Sequence, residues 1–282
     1  MCAFEQREEG MVFKMNIIQA LILGIIQGLT ELLPISSSAH LAIIPWIFDW
    51  TKDENFKIAF EGFDVALHAG TLIAIGIFFF KDWIKLIKGG YEKVIHKKNT
   101  VEGRMFWYIV LATIPGGIIG FLLDHFLEDK LTTPLVIAIA LIVMGILLYF
   151  VDKNSKSNVD YEHMTLKQTF LIGFAQCLAF IPGVSRSGIT MTVARLLNVD
   201  RESAAKYSFM LSAPIVLAAT IFKLKDFVFS IPFFVGVFTS FIVGIIVIKF
   251  LLQYLKKGSF KGFAIYRVIA GIIIILLTFI KG

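Results

Sequence analysis

Three stretches of this chain, residues 105–123, 131–151 and 227–248, carry no charged side chain, and each is long enough to cross about 30 Å of hydrocarbon as an α-helix. Backbone amides that meet lipid must be satisfied within the structure itself, which leaves helices and closed barrels as the spanning solutions. The apolar runs are continuous and do not alternate, so the barrel is excluded. Segments 56–80, 203–222 and 262–280 are similar, with ionisable groups confined mainly to one end. With 57% hydrophobic and 17% charged residues, the chain lacks the polar surface to coat a water-soluble core. The expected fold is an all-α polytopic membrane protein with six transmembrane helices.

Two further apolar stretches, 16–48 and 165–197, are each broken near the middle by a proline and a serine-rich run: PISSSAH (34–40) and PGVSRSGIT (182–190). Their halves hold only about ten to sixteen apolar residues, too few to span, and suit re-entrant helical hairpins whose irregular backbone lines a cavity. The two stretches are related. LGIIQGLTELLPISSSAH (23–40) aligns with IGFAQCLAFIPGVSRSGI (172–189), and ALHAGTLIAIGIFFFKDW (66–83) aligns downstream with MLSAPIVLAATIFKLKDF (210–227). Six spans split three and three give halves of opposite topology. Inverted repeats with broken helices meeting near the midplane are one way to build a substrate site. The expected organisation is a flexible extension over 1–14, then a single membrane domain over 15–282. Within it, repeat one covers about 15–151, a cytoplasmic linker about 152–164 and repeat two about 165–282.

Lysine and arginine crowd the loop 81–104, and the loop 124–130 is acidic. The positive-inside rule makes the first cytoplasmic and the second external. Both termini then lie outside, hairpin 16–48 enters from outside and hairpin 165–197 from the cytoplasm. Lys223 and Lys225 run against this bias. The net charge of +6 reflects cytoplasmic loops, and the 28 phenylalanines read as packing and lipid-facing residues, so no nucleic-acid partner is expected. Cys2 and Cys177 form neither a disulfide framework nor a metal-ligand spacing. Residues 1–14 carry no cleavable-signal pattern.

The chemistry concentrates in the two serine-rich runs. A guanidinium at membrane depth costs about 2.5 to 3.5 kcal/mol on insertion scales, so Arg186 points to function. Its fork suits phosphate oxygens, Gly183 and Gly188 allow close backbone approach, and a helix beginning near 187 would aim its positive end at the same place. The alternative is a structural pair with Glu31. In the first run, Gln27 and Glu31 share a helical face just before Pro34. Glu31 could bind a cation, act as a base, hold His40 or satisfy buried donors. Ser36, Ser37 and Ser38 include a helix cap and a candidate nucleophile, with His40 one turn beyond Ser37 as candidate base. Together these residues sort as a phosphoryl-transfer site. Glu61, Asp64 and His68 lie on one face of the next element, near the cavity mouth, and suit a structural role as well as a functional one. Arg195, Arg201 and Glu202 are expected at the aqueous boundary.

QGLTELLPISSSAH, PGVSRSGIT, KYSFMLSAPIV (206–216) and FAIYRVIAG (263–271) together resemble the undecaprenyl-diphosphate phosphatase, or bacitracin-resistance protein, family over nearly the whole chain. The resemblance implies hydrolysis of undecaprenyl diphosphate to the monophosphate on the outer face of the bacterial cytoplasmic membrane. That reaction recycles the lipid carrier of peptidoglycan precursors and confers bacitracin resistance. It implies Mg²⁺ or Ca²⁺ as cofactor, and polyprenyl diphosphate and membrane lipid as partners, with a homodimer also open. Carried over by position, Ser37, His40, Glu31 and Arg186 would be catalytic. Gln27, Ser36, Ser38, Gly183, Ser185, Ser187 and Thr190 would line the substrate, and Glu31 would be the metal ligand. Many relatives have Glu where this chain has Gln27, which weakens a two-carboxylate metal clamp. Serine, histidine and water all remain open as the nucleophile. A transporter or channel, or a lipid flippase, would use the same cavity without releasing phosphate.

Overall fold

The computed structural model describes residues 15–123 and 132–281. The expected extension 1–14 with Cys2, the acidic loop 124–130 and the side chain of Glu61 lie outside the described residues. Eleven α-helices are found there: α1 (Ile17–Thr30), α2 (Ser37–Ile47), α3 (Glu54–Phe78), α4 (Phe80–Ile95), α5 (Val101–Leu123), α6 (Pro134–Asn154), α7 (Leu166–Ala175), α8 (Arg186–Leu196), α9 (Arg201–Phe222), α10 (Ile231–Leu255) and α11 (Lys261–Lys281). No strand occurs among the described residues. Helices α3, α5, α6, α9, α10 and α11 are long and apolar enough to cross a membrane.

Local chemistry sets the helix ends. α6 starts later than hydropathy alone suggests because the Thr133 hydroxyl accepts from Val136 N–H and Pro134 follows at the first helical position. At α10 the Ser230 hydroxyl accepts from Phe233 N–H and Pro232 stands at the second helical position, so the expected span at 227–248 becomes Ile231–Leu255. The basic segment read as a loop contains α4. Its apolar residues recur at helical spacing, Leu86, Gly89 and Gly90 are buried, and the helix packs on α5 while its lysines face outward.

The two broken stretches fold as matched pairs of short helices. α1 and α2 meet at a break over 31–36. α7 passes through a 3-10 turn (Gln176–Phe180) to a break before α8. One fixed spacing relates their parts. Asn16 and Thr165 each cap the first helix with a capping box. Gly24 and Gly173 each lie where a Cβ would strike a facing backbone oxygen, 2.6 Å from Gly236 O and 2.2 Å from Ala112 O respectively. Those close approaches seat α1 on α10 and α7 on α5. α6 and α11 pack against each other along their length.

Arg195 corrects an expectation. It is fully buried, not at the aqueous boundary, and donates through Nε to Asp152 across 2.8 Å and through its other nitrogens to Val199 O, Lys156 O, Ser155 O and the Ser157 hydroxyl. Arg201 Nε reaches the same Asp152 oxygen at 2.8 Å, and Phe260 N–H donates to the other at 3.1 Å. One carboxylate on α6 thereby ties α8, the start of α9 and the turn before α11. A buried guanidinium needs all its donors met, and here the burial follows from a partner 43 residues away in sequence.

Candidate active site

The two loops that break the short helices lie together, and one side chain clasps both. Arg267 on α11 is completely buried and donates to Pro34 O (3.1 Å) on the first loop and to Gly183 O (2.7 Å) and Val184 O (2.9 Å) on the second. Its hydrogen bonds within the described residues all go to carbonyl oxygens, Leu141 O included. The Ser187 hydroxyl adds a second tie, donating to Leu33 O at 3.0 Å. Gly183 has φ +95° and sits where a Cβ would lie 2.6 Å from Ile137 O, so only glycine fits this turn.

The loops end in the same conformation. Ser36 (φ +78°) caps α2 by accepting from Ala39 N–H, and Ser185 (φ +72°) caps α8 by accepting from Gly188 N–H. In each loop the capping hydroxyl also meets the serine two residues on, Ser38 or Ser187, at 3.2 Å. A serine at positive φ costs about 1–3 kcal/mol, a strain found mostly at functional sites.

A cavity of about 420 Å³ opens beside these loops, walled by Glu31, Ser37 and Ser38 from the first, by Ser185, Arg186 and Ser187 from the second, and by Asp64, His68 and Gln176. Glu31 is its hub. The carboxylate is 6% exposed and takes the Arg186 guanidinium on Oε1, while Ser37 Oγ donates to Oε2 across 2.5 Å. His68 Nδ1 lies 3.2 Å from Oε2, and the Gln27 amide donates there at 3.3 Å. Arg186 also donates to Ser212 O at 3.2 Å. The Gln27 amide nitrogen lies 2.9 Å from His68 Nδ1, and His68 Nε2 lies 3.8 Å from Asp64.

Of the residues expected at the site, Glu31, Ser37, Ser38, Ser185, Arg186 and Ser187 therefore share one cavity. Gln27 stands behind Glu31, Ser36 and Gly183 shape the loops, and Thr190 braces α8 by donating to Arg186 O and meeting the Ser208 hydroxyl. His40 is placed elsewhere. Its Nδ1 meets Ser36 O at 2.6 Å, its Nε2 meets the Tyr266 hydroxyl at 2.7 Å, and its ring stacks on Tyr266. It lines a separate cleft between α2, α6 and α11. The imidazole beside Glu31 is that of His68.

Sequence reasoning passed over Gln176 and Arg267. The internal repeat carried a signal for the first, because Gln176 aligns with Gln27. Each of these glutamines is buried, with an Oε1 that has no hydrogen-bond partner, and Asp64 Oδ1 at the cavity makes no hydrogen bond either, with His68 Nε2 3.8 Å away. Gln176 and Asp64 line the cavity, where unmet acceptors suit a site completed by water or ligand, and Gln27 lies behind Glu31.

The same geometry bears on a divalent cation. Both Glu31 oxygens are taken by Arg186, Ser37, Gln27 and His68, with a permanent positive charge alongside. Among the described residues no cluster of three or more His, Cys, Asp and Glu could hold a metal ion. The residues present do not fit a cation seated on Glu31.

The model of the bacitracin resistance protein BacA family matches residues 20–273. The undecaprenyl-diphosphatase of Pelotomaculum thermopropionicum is 49% identical over 267 residues, 94% of this chain and 97% of that protein. Those of Desulforudis audaxviator and Moorella thermoacetica are 42% and 41% identical, each over 95% of this chain and all of the relative. The matched span contains both serine-rich loops, Glu31, His68, Arg186 and Arg267, and the chain belongs to the bacitracin resistance protein BacA family.

Proposed function

We propose that this chain hydrolyses undecaprenyl diphosphate to undecaprenyl phosphate and inorganic phosphate. It is a membrane phosphatase that returns the lipid carrier of cell-wall precursors to use. The observation that carries the mechanism is the hydrogen bond from Ser37 Oγ to Glu31 across 2.5 Å, on the wall of a cavity that also presents Arg186.

The diphosphate draws the Arg186 guanidinium off Glu31 and onto its own oxygens, and the freed carboxylate takes the Ser37 proton. Ser37 Oγ then bonds to the terminal phosphorus as the bond to the bridging oxygen breaks, and undecaprenyl phosphate leaves with that oxygen and its electron pair. Water attacks the phosphoserine, and the regenerated hydroxyl and inorganic phosphate share its protons. Arg186 and the N-terminal end of α8 balance the charge spreading over the phosphoryl oxygens. His68 and Asp64, next to Glu31, offer the proton a path to the cavity. His40 supports α2 through Ser36 O and takes no part in bond making.

The two halves read as inverted repeats, each with a re-entrant hairpin. The equal spacing of caps, glycines and loop serines supports this, as does the exchange of partners by which α1 packs on α10 and α7 on α5. With basic α4 in the cytoplasm, the cavity opens toward the external face of the bacterial cytoplasmic membrane, because Asp64 and Ala219 lie toward the ends of α3 and α9 remote from α4.

Detergent-purified protein should release phosphate from undecaprenyl diphosphate, and Ser37→Ala and Arg186→Ala should each abolish release. Full activity in either variant would sink the site. Lipid or ion flux in liposomes without phosphate release would favour a transporter.

A further inference from the structure

We propose that the groove between the last turns of α6 and the first turns of α11 binds one anionic phospholipid, with an acyl chain along the groove and the phosphate on Lys153 and Lys261. The groove has a volume of about 300 Å³ and is walled by Gly145, Tyr149 and Phe150 of α6 and by Ala264, Ile265 and Val268 of α11, with Lys261 at one end. Its α11 wall runs from Lys261 to Ile269, about 12 Å at 1.5 Å per residue, which is most of the roughly 15 Å of hydrocarbon in one leaflet. In the orientation proposed above, the lysine end is the cytoplasmic one. The groove shares no lining residue with the active-site cavity.

Three observations select this occupant. The first is shape. A Cβ on Gly145 would lie 2.9 Å from Ala264 O, so the two helices touch at the floor while the exposed Phe150 and Ile265 stand beside it, leaving an apolar trough for an aliphatic chain. The second is charge. Lys153 Nζ lies 5.9 Å over the Tyr149 ring, and among the described residues neither its ammonium nor that of Lys261 has an ion-pair or hydrogen-bond partner. The acids nearby in sequence are committed: Asp152 is buried against Arg195, Arg201 and Phe260 N–H, and Glu202 pairs with Lys256. Lys257, in the turn before α11, adds a further cation at this end. Basic pockets between helices on the cytoplasmic side suit anionic lipid headgroups, whereas a choline headgroup would bring one more cation. The third is symmetry. A second copy related by an axis along the membrane normal would set the same unpaired lysines against each other, so a protein partner of this kind fits poorly.

The test incubates the detergent-purified chain with equal amounts of dioleoyl phosphatidylglycerol and dioleoyl phosphatidylcholine and counts bound lipid by native mass spectrometry. The wild type should retain one phosphatidylglycerol with a preference of about tenfold, the scale expected for two lysines at a lipid phosphate. Lys153→Gln combined with Lys261→Gln should bring that preference to within about twofold. Ile265→Trp fills the groove and keeps both lysines. It should lose the bound lipid while melting, in detergent without added lipid, as the wild type does. A wild type without preference, or variants that retain phosphatidylglycerol as the wild type does, would overturn the site. So would a wild type that is dimeric and an Ile265→Trp chain that is monomeric with unchanged lipid binding, which would give the groove to a second copy. Glycerol phosphate in excess should not displace the lipid, and displacement by it would remove the acyl chain from the proposal. Bound mass is read here and not turnover, so the outcome is independent of the phosphatase reading.

Discussion

The Ser37 hydroxyl donates to Oε2 of Glu31 across 2.5 Å while Arg186 holds Oε1 of the same carboxylate. One carboxyl group thus links the candidate nucleophile and the candidate anion grip through opposite oxygens, and whatever moves Arg186 changes what Glu31 offers Ser37. In the proposed mechanism the ion pair is the resting state, broken when a polyanionic substrate supplies better acceptors to the guanidinium.

Ser37→Ala should lower kcat by about a thousandfold or more with little change in KM, since it removes a bond made only in the reaction. Glu31→Gln keeps the shape but cannot take a proton, and should cost about a hundred- to ten-thousandfold in kcat. Phosphate release under saturating substrate measures both. A Ser37→Ala enzyme that loses only about tenfold while Arg186→Ala is inactive would instead make water the nucleophile.

Arg186→Lys keeps a cation but loses the planar fork and the contact to Ser212 O. It should raise KM and lower kcat together, by about a hundredfold in kcat/KM. Arg186→Ala also leaves Glu31 buried without its partner, at a cost of about 3–5 kcal/mol in stability. Pairing it with Glu31→Gln should restore much of the melting temperature and none of the activity. Thermal unfolding in detergent, read beside the assay, separates the two effects.

The hydropathy of the chain was enough to place six spanning helices, because lipid burial demands continuous apolar runs and these are visible residue by residue. The two loops were legible for a different reason. Proline, glycine and serine clustered together favour a break between helices, and a charge among them has few uses in lipid. Three things escaped. Arg267 sits in an apolar helix with nothing in its neighbourhood to show that its acceptors would be Pro34 O and Gly183 O, carbonyls of the two loops. Arg195 looked like a boundary residue because its partner Asp152 lies on another helix. His40 was expected beside Ser37 because spacing along a helix reports distance, while its ring is turned to Ser36 O and to Tyr266, remote in sequence.

That orientation gives His40 and His68 distinguishable parts. His40 holds Ser36 O and the Tyr266 hydroxyl, so His40→Ala and Tyr266→Phe should both lower kcat by loosening the α2 cap, and the double variant should be no worse than His40→Ala alone. His68→Ala should lower kcat and change the pH profile of kcat, whereas Tyr266→Phe should leave the shape of that profile intact. A profile altered by Tyr266→Phe and untouched by His68→Ala would move the proton path from His68 to His40.

Asp152 provides a test of architecture apart from chemistry. Its carboxylate accepts from Arg195, Arg201 and Phe260 N–H, and it is 3% exposed. Asp152→Asn keeps the shape but leaves the fully buried Arg195 without a countercharge, an arrangement that costs about 3–5 kcal/mol when one partner of a buried pair is lost. The melting temperature in detergent should fall by several degrees. KM for the diphosphate should stay where it is, because none of these groups lines the cavity. Replacing Arg195 by methionine in the same chain should recover part of the loss, since an apolar side chain of similar length removes the stranded charge. A variant with wild-type stability, or one that raises KM while melting normally, would show that this cluster is not the fastening between α6 and α8 that its geometry describes.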